Sequence, residues 1–120
     1  MKESVLLIGS EHEVTLPSLQ HAIEEGMKQE VERGAAVIHA LASEVQLQAP
    51  DGEWYVAIHQ FPLSGASREP GTVFFDVRYN SRPWLSRVMR CFAGHQTLKV
   101  ATDDGREVTA AEFVAVQGLG

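Results

Sequence analysis

Cysteine is almost absent: Cys91 stands alone in 120 residues, so no disulfide forms within the chain and no cysteine cluster holds zinc. Long apolar runs are scarce as well. The run Val5 to Ile8 is too short for a signal-peptide core and far too short to span a bilayer. These two scarcities predict a cytoplasmic protein with no membrane partner.

Catalytic motifs are missing too. No Gly-x-Ser-x-Gly elbow and no His-Glu-x-x-His zinc pair occurs. The stretch Gly65 to Gly71 has the glycines of a phosphate loop but neither its Gly-Lys-Ser/Thr ending nor a helix after it. No cofactor and no catalytic or metal residue is therefore expected.

What is present has the balance of an ordinary globular chain, with 44% hydrophobic and 22% charged residues. A chain of this size buries enough surface for one core, so residues 1–120 read as a single domain. The net charge of −6 argues against nucleic acid as a partner. Its distribution is uneven. Residues 1–53 carry three cations against ten acids, whereas Val77 to Ala101 carries Arg78, Arg82, Arg87, Arg90 and Lys99 with no acid.

Val5 to Ile8, ending at Gly9, reads as a short strand buried on both faces. Thr15 reads as the cap of a helix with Pro17 in its first turn, running to about Arg33 and Gly34. Leu16, Leu19, Ile23, Met27 and Val31 fall on its core stripe, and Glu24, Glu25, Lys28 and Glu32 on the other side. Ala35 to Ala42 reads as a strand or an apolar connection, its small residues leaving helix open.

From Ser43 the period drops to two. Val45, Leu47 and Ala49 alternate with Glu44, Gln46 and Gln48, Pro50-Asp51-Gly52 supplies a turn, and Trp54 to Phe61 completes an antiparallel hairpin. Pro62 to Gly71 reads as an exposed loop, and Thr72 to Tyr79 as a strand with Val73, Phe75, Val77 and Tyr79 on one face. Ser81 and Pro83 open a second helix along Leu85, Val88, Met89 and Phe92, stopped by Gly94. Thr97 to Thr102, a turn at Asp103 to Gly105, and Arg106 to Val116 read as a second hairpin, with a loose tail from Gln117 to Gly120.

The expected fold is α+β: an antiparallel sheet of five or six strands, one long helix across one face, and a second short helix before the C-terminal hairpin. A small, partly closed barrel is the alternative. The residues singled out for binding are Arg78, Arg82, Trp84, Arg87 and Arg90, because planar guanidinium donors among aromatics suit acidic partners. Their ordinary reading is a solvated helix face paired with acids of the first half.

Other candidates have stronger ordinary readings. Cys91 and His95, four apart, have the makings of a nucleophile and base, yet Gly94 interrupts the helix between them, and a lone cysteine is usually a small core residue. The histidines His12, His21, His39, His59 and His95 show no ligand spacing. Trp54 and Trp84 read as anchors at the core edge, Trp84 the more exposed.

Function is expected to be a non-catalytic protein-binding module, an inhibitor, immunity or adaptor type of protein. It would dock a protein partner, or a second copy of itself, through segregated charge and aromatics. Two alternatives stand beside it. One is a small enzyme or ligand-binding domain with His39, His59, Asp76 and Arg78 around a pocket. The other is a nucleic-acid contact through Arg78, Arg82, Arg87 and Arg90.

Overall fold

Alternating burial gives most strands here one buried and one half-open face. The computed structural model describes residues 3–10, 12–61, 71–95, 97–101 and 105–117. Its elements are β1 (Glu3–Ser10), α1 (Leu16–Gly26), α2 (Lys28–Glu32), β2 (Val37–Ala40), β3 (Glu44–Gln48), β4 (Tyr55–Gln60), β5 (Thr72–Tyr79), α3 (Arg82–Cys91), β6 (Lys99–Ala101), β7 (Glu107–Thr109) and α4 (Ala110–Gln117). The seven strands among the described residues form one antiparallel sheet in the order β2-β3-β4-β5-β1-β6-β7.

One sheet face carries the core. Leu7, Leu47, Ile58, Phe75, Val77 and Val100 point to it and are at most 1% exposed. They meet Leu19 and Ile23 of α1, Leu85, Val88 and Met89 of α3, Phe92 just beyond α3, and Phe113 of α4. The helices form one layer, α1 against α3 and α3 against α4, resting on β3, β4 and β6 respectively. Each large side chain removed from water here contributes on the order of 1.5–3 kcal/mol before the entropy of ordering it is counted.

The α+β class agrees with the sequence, and so do the β3–β4 hairpin, β5 and α3. Four expectations need correction. The sheet has seven strands rather than five or six, and four helices rather than two, among the described residues. The first helix is interrupted at Met27, whose φ of −108° and ψ of 15° leave the helical basin. Val31 is thereby turned out of the core stripe and is 38% exposed, whereas Met27 is 2% exposed.

β1 is buried on one face only. Leu7 is fully buried, but Leu6 and Ile8 are half-buried on a sheet face that no helix of the described residues covers. Finally, the expected strand from Arg106 ends at Thr109 and becomes α4. The cause is a reciprocal cap: Thr109 Oγ1 accepts from the Glu112 backbone N–H at 3.1 Å, and Glu112 Oε1 accepts from the Thr109 N–H at 3.2 Å. The expected loop at 62–70, the turn at 103–104 and the tail from 118 lie outside the described residues.

Candidate functional site

The α3 helix begins where β5 ends. Ser81 has the extended backbone of a cap residue, Pro83 fills the first turn, and the Leu85 N–H reaches the Ser81 carbonyl at 2.9 Å. Helical spacing then buries Leu85, Ser86, Val88 and Met89 and leaves Arg82, Pro83, Arg87 and Arg90 exposed. Trp84 sits on the boundary, half-buried.

A neighbouring turn supplies its partner. Gly52 takes a φ of +77°, a conformation L side chains resist, and its N–H closes on the Ala49 carbonyl at 2.9 Å. Glu53 N–H donates to Asp51 Oδ1 at 3.0 Å. Asn80, between β5 and α3, ties this turn down: its Oδ1 accepts from Tyr55 N–H at 2.9 Å, and its Nδ2 donates to the Glu53 carbonyl at 3.2 Å. Trp54 is thus held over the start of α3.

There Trp54 and Trp84 stack with ring centroids 3.8 Å apart and planes 10° from parallel. Arg87, one turn along, brings its guanidinium carbon to 4.5 Å from the Trp84 ring centroid. The result is a layered Trp54, Trp84 and Arg87 cluster at the molecular surface. Such an aromatic pair contributes about 0.5–1.5 kcal/mol beyond area burial, and an exposed cation–π contact about 0.5–1 kcal/mol.

Arg87 and Arg90 also border a groove of about 380 Å³ between α3 and the α1–α2 break, with Gly26, Met27, Glu30 and Cys91. Glu30 Oε2 is buried there with no hydrogen-bond partner among the described residues. The Cys91 thiol donates to the Arg87 carbonyl at 3.3 Å, and burial pushes its pKa up to about 11. At neutral pH it is therefore a thiol, and a poor nucleophile. His95 engages elsewhere, packing edge-on against Phe92 with centroids 6.2 Å apart.

The singled-out arginines do not share one surface. Arg82, Arg87 and Arg90 lie on α3, in the helical layer, while the β5 register puts Arg78 on the opposite, helix-free sheet face. There its Nε donates to Asp76 Oδ2 at 2.9 Å. The same face carries all four of the residues considered for a pocket. His59 is the register partner of both Glu44 and Asp76, with Nδ1 3.7 Å from Glu44 Oε1. Gln46 donates to the other Glu44 oxygen, and His39 lies beside Gln46 on the edge strand. No group of three or more His, Cys, Asp or Glu suited to a metal ion occurs among the described residues.

Sequence reasoning missed the pairing of Trp54 with Trp84 and the part of Asn80 in enforcing it. The two tryptophans are thirty positions apart, and no periodicity links them. The one available signal was Asn80 directly before the Ser81 cap, a residue type that hydrogen-bonds nearby backbone. No helix of the described residues is long and apolar enough to cross a membrane. Comparison with known protein families, curated proteins and solved structures finds no match.

Proposed function

We propose that this chain is a non-catalytic protein-binding module that docks an acidic partner surface through α3. The observation that carries this reading is the Trp54–Trp84–Arg87 cluster, half-exposed and flanked by the exposed Arg82 and Arg90. Tryptophan and arginine are the residue types that concentrate binding energy at protein interfaces. Here the two tryptophans are held by their stacking and by the Asn80 bonds to the turn that carries Trp54, so little of their side-chain entropy remains to be lost on binding.

The test uses the full chain as bait in affinity capture from its source cells. The bait is compared with the Arg82→Ala/Arg87→Ala/Arg90→Ala variant and, as a control on the opposite face, Arg78→Ala. The triple variant should keep its fold, with stability changed by no more than about 1 kcal/mol because exposed charges contribute little, and should lose the partner. A folded triple variant that retains the same partner at unchanged affinity sinks the reading. Self-association through the same surface would appear as a concentration-dependent dimer lost in the triple variant.

A second reading, a small-ligand or enzyme site, draws on the helix-free face, where His59, Asp76, Arg78 and Glu44 adjoin. A ligand that shifts the His59 imidazole resonances while leaving the tryptophans unaltered would support it. The nucleic-acid reading draws on four arginines acting together, and Arg78 stands apart from the other three. A steep salt dependence of oligonucleotide affinity is its test.

A further inference from the structure

β2 is the outer strand of the sheet and pairs only with β3 among the described residues. Antiparallel ladders alternate bonded and non-bonded pairs. Because Leu41 N–H bonds to the Glu44 carbonyl at 2.8 Å, the bonded partners in this ladder are His39 with Gln46 and Val37 with Gln48. Ile38 and Ala40 therefore aim their N–H and C=O groups outward, away from the sheet. The strand carries no proline, lysine or bulge of the kind that commonly blunts such edges.

A groove of about 670 Å³ runs along this edge on the helical side, its wall formed by Val31, Ile38 and Pro50. Of the three large hydrophobics exposed among the described residues, two adjoin this edge: Val31 in the groove wall, 38% exposed, and Leu41 just past β2, 58% exposed. The interruption at Met27 is what turns Val31 outward into this groove. The rim is charged, with Glu24 and Glu32 beside a single Lys28. Outward backbone groups, an apolar trough and an acidic rim on one edge are the parts needed to hold an extended peptide as an added strand.

We infer that the β2 edge and its groove bind an extended segment of another protein, with apolar residues at alternate positions and cations at its ends, paired antiparallel or parallel to β2. Charge decides against a second copy of this chain as the occupant. Two-fold pairing of β2 with β2 would bring the acidic α1–α2 rim against its own image, and like charges in contact oppose association. The surface is distinct from the arginine face of α3, and the inference does not depend on that reading.

The probe is an amidated heptapeptide with lysine at both ends, valine at the third and fifth positions and threonine between. Its lysines and valines all point to the helical side, toward the rim and the trough. It is titrated into the full chain and followed by amide resonances. Saturable shifts should centre on Ile38, Ala40 and Val31, with slowed hydrogen exchange at Ile38 and Ala40. Val31→Lys, at an exposed site, should weaken binding by about tenfold or more by setting a cation in the trough against the peptide's own charges. The Arg82→Ala/Arg87→Ala/Arg90→Ala variant should bind the peptide unchanged. A peptide with glutamate in place of lysine, or one N-methylated on its edge-facing amides, should bind far more weakly. Equal binding of either control, shifts centred elsewhere, or dimerisation through β2 in sedimentation would overturn the inference.

Discussion

Gly26 shows how one missing methyl group sets the distance between two helices. A Cβ built there would overlap Cys91 Sγ and lie 3.2 Å from Cys91 Cβ. Helix propensity alone favours alanine over glycine by about 1 kcal/mol. The steric term is larger, so Gly26→Ala should destabilise the protein by about 1–3 kcal/mol, the usual scale of overpacking. In a Cys91→Ala background the Sγ overlap is gone and only the close approach to Cβ remains, so the same change should cost markedly less. Urea denaturation of the four variants in this cycle measures the coupling.

Burial also governs the thiol of Cys91. Cys91 is shifted up to about 11, first by burial, with Glu30 adding repulsion against a thiolate. An acid whose folded pKa is raised favours the folded state fully below its unfolded pKa and loses that contribution as pH climbs through the folded one. Stability should therefore fall between about pH 9 and pH 11, and Cys91→Ala should flatten that decline. Alkylation of Cys91 near neutrality should be slower than that of a free thiol.

At the scale of elements, caps decided what periodicity left open. The Thr15 cap was legible because it precedes a clean apolar stripe, and the structure adds its reciprocal bond with Ser18. The Thr109-to-Glu112 cap has the same spacing signature, yet Val108, Phe113 and Val114 also fit a strand, and short apolar stretches do not settle the period. Thr109→Ala should cost about 1 kcal/mol and fray α4, seen as lost helical ellipticity. The Glu112 carboxyl is held below its usual range by its bonds to the Thr109 N–H and hydroxyl. Its contribution is present above its unfolded pKa and should disappear as pH falls through the lowered value.

Asn80 belongs to this scale because it joins two elements. Asn80→Ala removes the clamp between the β3–β4 turn and α3, so Trp54 should disengage from Trp84. The exciton signal of stacked indoles in circular dichroism should collapse, with a stability loss of about 1 kcal/mol for the exposed hydrogen bonds. Retention of that signal would show that ring packing alone positions the pair.

Across the whole molecule, strand identity was readable and strand order was not. Alternation marked β3, β4 and β5 because each buries every second residue, but nothing local announces that β1 lies between β5 and β6. The segregation of charge along the chain was equally plain, yet the register of β5 divides its arginines between two faces. A residue's facing follows from the parity of its strand, whereas the neighbours of that strand follow from the packing of distant segments.

The position of β1 has a consequence during synthesis. Leu7 is completed on one side by Phe75 and on the other by Val100, so a strand made early waits for two partners made much later. While the ribosome works, β1 has both hydrogen-bonding edges and its most apolar residues unpaired, the state from which nascent chains aggregate. Joining it to β5 and β6 closes the longest loops of the sheet, which makes its insertion the natural slow step of folding.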